Sequence, residues 1–338
     1  MAVTINDIAK AAGVAPSTVS RVVNDSPLIS EETKIRIRAI LKEMNYTPNS
    51  IGKQLAMQSS FNVGFLINTS SKDNFLDPFF YDIIGGAQSI VLSSAYDLTL
   101  GNISYLDSNE HFLNKFVYSK KVDGLIIHVS IVNKDIIQEL NESEFPYVII
   151  GKPKEKNKAS WVDIDNTVGG ELAANHLLEQ GYTNIAFIGG TKDEPVSFSR
   201  LLGYKKVLDK LDIRENQGYI KGGLGTEEDG YRLMRDLLSM DNPPDAVICI
   251  NNYTAFGVLK AVKEKGLRIP EDIGILTFDN FPLAPYMDPP LTCLKINTFE
   301  LGKVAGEILM DKLKNKTNTF ENKLLIPELI VRESSLRK

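Results

Sequence analysis

The sequence predicts a small all-α domain followed by a larger α/β region with two lobes. Apolar residues recur at helical spacing within residues 4–46. From Val63 onward, short β-rich runs alternate with helical stretches, a pattern typical of doubly wound parallel sheets. Because the chain has 338 residues, the part after Val63 is too long for one such sheet, and we expect two lobes facing each other across a cleft.

The first domain is predicted to contain three short helices. Thr4 and Asp7 have the spacing of a capping box before the first helix, and Gly13 suits the turn that follows it. The second helix should begin at Pro16, which a first helical turn tolerates, and the third at Ser30. The apolar stripes of the three helices are Ile5, Ile8, Ala9 and Ala12, then Val19, Val22 and Val23, then Ile37, Ile40, Leu41 and Met44.

Two short helices joined by a glycine-containing turn form the pattern of a helix-turn-helix. The second helix carries short polar side chains and one cation, provided by Ser17, Thr18, Ser20, Arg21 and Asn24. In a DNA major groove, an arginine fork can bond guanine, whereas serine and threonine can bond bases or phosphates. From spacing alone, the alternative is a three-helix accessory domain in which Arg21 is simply solvated.

The charge distribution excludes a strongly basic protein that coats nucleic acid. The chain has 38 basic and 43 acidic residues, for a net charge of -5. Residues 1–60 nevertheless carry seven Lys and Arg against five Asp and Glu, so a slightly basic domain precedes an acidic remainder. The sequence has no signal-peptide pattern, no apolar run long enough for a bilayer and only two Cys, so we expect a cytoplasmic location.

The second region is predicted to contain buried parallel strands separated by helices. The strands are expected at 63–67, 124–129, 147–150, 185–188, 246–250 and 273–278. The helices between them are expected at 81–92, 169–180, 199–211 and 255–265. We expect the break between the two lobes near Trp161.

Polar residues follow several of these strands, at the sheet edge where open α/β sheets bind ligands. They are Asp163, Asp165, Asn251, Asn252, Asp279 and Asn280, with Arg200 in the helix after Gly189 and Gly190. Together with the rings of Phe79 and Phe80, such groups suit the hydroxyls and apolar faces of a sugar. The alternative for each residue is structural, because Asp and Asn commonly cap helices and either Phe could belong to the core.

Motifs of enzymes and metal sites are missing from the sequence. It contains no Walker A motif, no Gly-x-Ser-x-Gly elbow and no Cys-x-x-Cys, and its three His residues are scattered. Asp163 and Asp165 could share a strand face, but nothing marks an activated water or nucleophile near them. We therefore predict no catalytic residue, no metal and no cofactor, which leaves a sugar-processing enzyme as the weaker alternative.

Longer strings in both regions resemble a single protein family. They are VTINDIA (3–9), AGV (12–14), STVSRVVN (17–24), YTPN (46–49), QLA (54–56), VDIDN (162–166), GG (189–190), RLLGY (200–204) and PPLT (289–292). With these strings, nearly the whole chain resembles the lac-repressor (LacI/GalR) family of transcriptional regulators. The strings DPFF (77–80), VDIDN, FPLA (281–284) with Tyr286, and PPLT are most similar to the maltose-operon repressors of Gram-positive bacteria.

The resemblance implies a domain organisation. Residues 1–46 would form the helix-turn-helix head that binds DNA, and residues 47–60 the hinge helix and linker. Residues 61–338 would form a two-lobed effector-binding and dimerisation domain similar to periplasmic sugar-binding proteins. The N-lobe would comprise about 61–161 plus 293–324, and the C-lobe about 162–292 plus 325–338.

The resemblance also implies the DNA contacts. Ser17 and Arg21 would read base edges, and Pro16 would occupy the other main specificity position. Phosphates would be held by Thr4, Thr18, Ser20 and Asn24. The hinge helix would fold on the operator and wedge Leu55 between central base pairs from the minor groove, beside the further contacts Asn49, Lys53 and Ala56. Gly52 stands where the family often has Ala, and Lys53 where it usually has Arg.

The effector contacts implied by the resemblance are Phe79, Phe80, Asp165, Arg200, Asn251 and Asp279. The effector would be a sugar, maltose or a maltodextrin, whose binding lowers affinity for the operator. Two-fold symmetry predicts a homodimer on a pseudo-palindromic operator, and the C-terminus lacks the leucine heptads of a coiled-coil tail. The alternatives are a regulator that requires a corepressor, with the opposite ligand effect, and a catabolite regulator that binds a phosphorylated carrier protein.

Overall fold

The computed structural model describes residues 3–47, 50–68, 78–105, 111–153, 158–189, 194–213, 216–317 and 319–337. The described residues form two compact units, with the boundary between Phe61 and Asn62. The first unit is all-α and the second is α/β, which confirms the predicted fold class. Within the described ranges, no helix is both long enough and apolar enough to cross a bilayer.

The first unit contains four helices, α1 (Ile5–Ala12), α2 (Pro16–Val23), α3 (Glu31–Glu43) and α4 (Ser50–Met57). Thr4 and Asp7 form the expected capping box at the start of α1, and Gly13 ends the helix with φ +65°. Ser30 caps α3 by accepting a hydrogen bond from the Thr33 backbone. The apolar stripes of the first three helices meet in one core, whose most deeply buried members are Ile8, Val19, Val22 and Ile37.

The first sheet of the second unit has six parallel strands in the spatial order β11–β5–β4–β3–β1–β2. They are β1 (Asn62–Ile67), β2 (Asp97–Asn102), β3 (Gly124–His128), β4 (Tyr147–Ile150), β5 (Trp161–Ile164) and β11 (Asn322–Leu325). Helices α5 (Pro78–Ser93) and α11 (Thr298–Asn315) share one core with this sheet, and α6 (Lys134–Glu142) shares the core on its other side. We call this half the N-lobe.

The second sheet also has six strands, in the order β12–β10–β9–β8–β6–β7, with β12 antiparallel to β10. They are β6 (Ile185–Ile188), β7 (Ile220–Lys221), β8 (Ala246–Cys249), β9 (Gly274–Phe278), β10 (Thr292–Lys295) and β12 (Glu328–Ile330). Helices α7 (Asn166–Glu179) and α8 (Pro195–Lys210) share the core on one side, and α9 (Glu227–Leu238) and α10 (Asn252–Glu264) on the other. We call this half the C-lobe, and Cys249 and Cys293 lie in its core as buried free thiols.

The chain crosses between the lobes after β5, after β10 and after β11. These crossings lie within a few residues of the approximate lobe boundaries that the resemblance implies. Residues 162–164 pair with β11 and belong to the N-lobe, as does Leu325, whereas residues 293 and 294 pair with β9 and belong to the C-lobe. The reason is that each strand completes its hydrogen bonding in one sheet before the chain turns toward the other.

Three helix pairs of the second unit meet through glycines at very short distances. A Cβ atom built on Gly170 of α7 would lie 2.0 Å from the Arg200 carbonyl oxygen, and one on Gly203 of α8 would lie 1.9 Å from the Thr167 carbonyl oxygen. Equivalent reciprocal contacts join α5 to α11 through Gly86 and Gly302, and α9 to α10 through Gly230 and Gly257. Because only glycine permits such a close approach, these positions fix how the helices pack. The α7–α8 contact places Arg200 directly beside the start of α7.

Candidate DNA-binding surface and effector site

Helix α2 buries one side and exposes the other. Val19 and Val22 are buried in the core of the first unit, whereas Pro16, Ser17 and Arg21 are exposed. The Arg21 guanidinium forms no ion pair among the described residues, so its donors are open to a ligand. The polar residues Thr18 and Ser20 are half-buried and Asn24 is exposed. The predicted base-contacting residues therefore lie together on an accessible helix surface.

Two of the predicted phosphate contacts also have local structural roles. The Thr4 hydroxyl donates to Asp7 Oδ2 at 2.7 Å within the capping box. The Asn24 side-chain amide donates to the Ser20 carbonyl at 3.0 Å and so satisfies the last turn of α2. Their hydrogen bonds stabilise the two ends of the helix-turn-helix in the chain without DNA.

Two cations of α3, Lys34 and Arg38, are engaged in ion pairs. Lys34 is only 5% exposed, and its Nζ lies 3.1 Å from Asp25 Oδ1 and 2.9 Å from Glu31 Oε1. Arg38 Nη2 also lies 2.5 Å from Asp25 Oδ1. These cations hold the pKa of Asp25 below its ordinary value through hydrogen bonds and charge. The network ties the segment after α2 to α3, which leaves Arg21 as the accessible cation of α2.

Helix α4 occupies the predicted hinge, and two of its apolar side chains, Leu55 and Met57, are exposed. Leu55 is 82% exposed and Met57 is 58% exposed. A Cβ atom built on Gly52 would meet no heavy atom within 4 Å. The predicted DNA contact Asn49 lies outside the described residues, as do the side chains of Lys53 and Ala56. A helix of only eight residues is marginally stable by itself. The exposed side chains of Leu55 and Met57 suit a surface that becomes buried on binding.

Arg200 is the most completely enclosed of the predicted effector residues. Arg200 is only 6% exposed. Its Nε donates to Asn166 Oδ1 at 2.9 Å, and its Nη1 donates to the Ile250 carbonyl at 2.6 Å. Nη2 lies 4.0 Å from Asp279 Oδ1. Burial lowers the pKa of the guanidinium, and the charge of Asp279 opposes that shift. The guanidinium is thus held in one orientation by groups from three separate segments.

Asp165 and Asn251 each cap a helix, and their predicted contact with an effector stays a prediction. Asp165 Oδ1 accepts from the Val168 backbone at 3.0 Å at the start of α7. Asn251 Oδ1 accepts from the Thr254 backbone at 2.9 Å at the start of α10, and its amide donates to the Gly225 carbonyl at 2.9 Å. Both side chains are half-buried, so capping fixes their position without closing them off from a ligand.

Asp279 follows β9 with its backbone at φ +70°, a strained conformation for a residue with a side chain. The Asn252 side-chain amide is assigned the orientation in which its nitrogen faces two carbonyl oxygens. In this orientation it donates to Phe278 at 3.2 Å and to Asp279 at 2.7 Å. The turn that carries Asp279 is therefore tied to the start of α10. Such over-determined strain is a common feature of ligand sites.

The N-lobe contributes Phe80 and a residue that sequence reasoning missed, His128. Their rings meet edge to face with centroids 5.7 Å apart. His128 ends β3, and its Nδ1 lies 2.8 Å from Ser130 Oγ and 3.3 Å from the Ser130 backbone nitrogen. Asp163 was selected because it is a polar residue at the end of a predicted strand, and the same criterion would also have selected His128. The side chain of Phe79 lies outside the described residues, as do Asp77, Pro48 and Gly190 of the family-like strings.

The sites of both lobes lie at carboxyl ends of parallel strands. The C-lobe brings Arg200 together with Asp279 and, through the Ile250 carbonyl, with the segment that carries Asn251. Asn166, the partner of Arg200, was also missed, because no sequence signal links two residues 34 positions apart. Donors, carboxylates and amides are present in this arrangement, which suits recognition of a polar small molecule.

Comparisons with known proteins identify both units. Residues 4–49 match the model of bacterial regulatory proteins of the lacI family, and residues 174–335 match that of a periplasmic binding protein-like domain. The chain is 30% identical to the HTH-type transcriptional repressor PurR of Aliivibrio salmonicida, over 98% of each chain. It is 28% identical to a transcriptional regulator CelR–cellobiose complex, with a TM-score of 0.73 and coverage of 98% of this chain and 99% of that one.

A third comparison concerns the fold. The lac repressor dimer bound to operator and an anti-inducer is 24% identical, with a TM-score of 0.82 over 99% of this chain and 100% of that one. The purine repressor homologue does not support the predicted subgroup of maltose-operon repressors, so that part of the resemblance is not confirmed. The chain therefore belongs to the lacI family of bacterial regulatory proteins and is a DNA-binding transcriptional repressor, not an enzyme.

Proposed function

We propose that this repressor binds a pseudo-palindromic operator as a homodimer and that a sugar bound at the strand ends lowers its affinity for DNA. The enclosed guanidinium of Arg200 is the observation that carries the effector part of the proposal. A ligand that touches Arg200 or Asp279 acts on groups that also join α7, α8 and the β8–α10 turn. Ligand contacts at this point are therefore coupled to packing within the C-lobe.

DNA recognition is assigned to α2 and α4. The exposed Ser17 and Arg21 would read base edges beside Pro16, which offers an apolar contact. The exposed side chain of Leu55 would become buried in the minor groove, where an inserted apolar side chain unstacks a base step. The phosphate contacts would be Thr4, Thr18, Ser20 and Asn24, and the further hinge contacts Asn49, Lys53 and Ala56.

A sugar is favoured because the site offers several half-buried groups that pair with hydroxyls. Asp165, Asn251 and Asp279 supply acceptors and an amide at fixed positions, and Phe80 supplies a ring in the N-lobe. The cellobiose complex of the CelR relative supports the same class of ligand. Maltose and maltodextrins remain part of this proposal, together with Phe79 as a further contact.

A purine base acting as corepressor is the second candidate, and the PurR relatives favour it. The two candidates differ in the sign of the coupling, because an inducing sugar weakens operator binding and a corepressor strengthens it. Linkage requires the operator to change the ligand's affinity by the same factor. The sign of the ligand effect therefore separates the candidates.

The dimer is supported by an exposed apolar surface on the C-lobe. Leu224 is 88% exposed, Leu283 is 61% exposed and Tyr286 is 83% exposed. Leu283 and Tyr286 closely follow Phe281, whose ring meets that of Phe256, which in turn meets the ring of Tyr253. Apolar patches of this kind mark protein–protein interfaces, and a two-fold axis would bury the same patch on both subunits.

The test begins with selection of an operator from random DNA, followed by titration of the repressor with maltose, maltotriose, cellobiose, glucose, hypoxanthine and guanine. We expect heat with a sugar and release of the selected operator at the same sugar concentration. Stronger operator binding with a base would support the corepressor candidate instead. If none of these ligands binds, the effector proposal fails and a phosphorylated carrier protein becomes the next partner to test.

The hinge is tested with Leu55→Ala. Since Leu55 is 82% exposed in the free chain, its truncation should leave stability within about 0.5 kcal/mol. Operator affinity should fall by about 2–3 kcal/mol, because the wedge is lost, while ligand binding is unchanged. Leu211→Ala, 53% exposed in the C-lobe, is the matched control and should affect neither. Unchanged operator affinity in Leu55→Ala would contradict the hinge assignment.

A further inference from the structure

A cavity of about 480 Å³ lies in the N-lobe, away from the strand ends that form the proposed effector site. It is bounded by the C-terminal ends of α6 and α11 and by the segment that enters β4. Tyr147 on its wall is the first residue of β4, so the cavity lies at the amino-terminal edge of the sheet. We call it the α6–α11 cavity, and its volume is within the range of small-molecule sites.

Aromatic rings form much of the wall of this cavity. They belong to Phe145, Tyr147 and Phe320, of which Phe320 is 44% exposed. The Tyr147 hydroxyl donates to Asn141 Oδ1 at 3.0 Å, and burial raises its pKa to about 12, so the phenol is neutral. These rings offer flat apolar contacts to a ligand of similar shape.

Lys312 places a poorly solvated positive charge in the same wall. It is 8% exposed, its Nζ donates to the Thr319 carbonyl at 2.6 Å, and it lies 5.5 Å from the ring centroid of Phe320. Among the described residues, no carboxylate lies within 4 Å of this ammonium group. Burial lowers the pKa of Lys312, and the charges of Glu321 and Asp311 oppose that shift without reversing it. An ammonium group has three donors, and the described contact uses one.

The cavity wall contains further charged and polar side chains. Lys316 and Glu144 are exposed at its wall, so its charged side chains are two lysines and one carboxylate. Thr317 has a buried hydroxyl for which the described residues provide no hydrogen-bond partner. An incoming group with acceptor oxygens would compensate both the lysine charge and the hydroxyl.

We propose that the α6–α11 cavity is a second ligand site, for a small aromatic carboxylate. The ring would pack against Phe145 and Phe320, and the carboxylate would pair with Lys312. This site is independent of the sugar or base proposed at the strand ends, because it uses another edge of the N-lobe sheet. The repressor would then respond to two chemically different ligands.

Isothermal titration of the full chain with phenylacetate tests the proposal, and phenylacetamide is the neutral probe of the same shape. We expect phenylacetate to bind at least tenfold more tightly than the amide. Lys312→Met keeps the apolar stem but removes the charge, and should weaken phenylacetate binding about ten- to a hundredfold. Lys314→Met removes a charge from the same helix outside the cavity wall and should leave the affinity unchanged.

A second variant guards against a folding defect. Phe320→Ala changes an exposed side chain and should also weaken phenylacetate binding, even if Lys312→Met does not fold. Asp165→Ser, in the strand-end site, should bind phenylacetate as the original chain does. Equal binding of the acid and the amide, unchanged binding in Phe320→Ala, or loss of binding in Asp165→Ser would each overturn the proposal. Absence of any binding at millimolar phenylacetate would overturn it as well.

Discussion

The guanidinium of Arg200 lies over the ring of Phe278, with 4.0 Å between the guanidinium carbon and the ring centroid. Phe278 ends β9 and is 1% exposed, so the cation rests on a fixed apolar surface. The hydrogen bonds of the guanidinium to Asn166 and to the Ile250 carbonyl hold it against the Phe278 ring. Arg200 is therefore oriented before any ligand arrives, which lowers the entropic cost of binding.

Replacing Arg200 should destabilise the C-lobe as well as change ligand binding. In Arg200→Ala, the Asn166 side chain and the Ile250 carbonyl lose their partner while still buried. We expect the free energy of unfolding to fall by about 2–4 kcal/mol, measured by urea denaturation and circular dichroism.

The control for this variant is Lys206→Ala on the same helix. Lys206 is exposed and pairs with Glu171 at 3.2 Å, so its loss should cost about 0–1 kcal/mol. Equal losses in the two variants would show that the Arg200 contacts add nothing beyond a surface ion pair. A ligand-binding defect in Arg200→Ala is informative only at urea concentrations where the variant is folded.

Asp165 allows its capping role to be separated from the proposed ligand contact. Asp165→Ala removes the acceptor for the Val168 amide and should cost about 1 kcal/mol of stability. Asp165→Ser keeps a capping oxygen and should therefore retain stability, but it lacks the carboxylate.

If Asp165 also binds the effector, Asp165→Ser should weaken ligand binding at least tenfold while its urea midpoint stays at that of the original chain. Calorimetric titration with the effector measures the first quantity. Unchanged effector affinity in the serine variant would leave Asp165 as a helix cap alone.

Local patterns in the sequence were sufficient for the architecture. The capping box at Thr4, the turn at Gly13 and the strands around 147–150 and 185–188 depend on neighbouring residues, and all were predicted. Helices α6, α9 and α11 were not predicted, although Leu301, Val304 and Ala305, which are buried in α11, recur at helical spacing. The sequence of α11 therefore contains a local helical signal.

The contacts that shape the site could not be read from local patterns. The pairing of Arg200 with Asn166 joins two helices, and the Ile250 carbonyl carries no side-chain signal at all. The close approach of α7 and α8 depends on Gly170 and Gly203, each of which appears alone to be a weak helix residue. Tertiary packing determines such features, and periodicity within one segment does not contain them.

His128 should titrate at a pH below the ordinary pKa of histidine. Burial lowers its pKa from 6.5, and the Ser130 backbone N–H donates to Nδ1, which requires that nitrogen to be unprotonated. The unfolded chain thus takes up this proton more readily than the folded chain does. The contribution of neutral His128 to the free energy of unfolding is fully present above pH 6.5. It decreases as the pH falls below that value toward the lower pKa of the folded chain.

Histidine-selective NMR titration measures the protonation of His128 directly. Denaturation at pH 7.5 and pH 5.5 should show a larger loss of stability in the original chain than in His128→Gln. His176, whose pKa is also lowered by burial, is present in both proteins and cancels from the comparison. Titration of His128 at or above pH 6.5 would contradict the prediction.

Gly52 provides the sharpest test of whether folding of the hinge helix contributes to operator binding. A methyl group at this position meets no heavy atom within 4 Å, and alanine favours a helix by about 1 kcal/mol over glycine. If the hinge folds on the operator, Gly52→Ala should raise operator affinity about fivefold for each hinge helix, measured by fluorescence anisotropy. Gly181→Ala is the matched control in the C-lobe, because its Cβ also meets open space but its φ of +84° disfavours alanine. The control should lose about 1 kcal/mol of stability and leave operator affinity unchanged. Unaltered operator affinity in Gly52→Ala would mean that the hinge helix is already formed before DNA binds, and that its folding cannot be the step through which the effector acts.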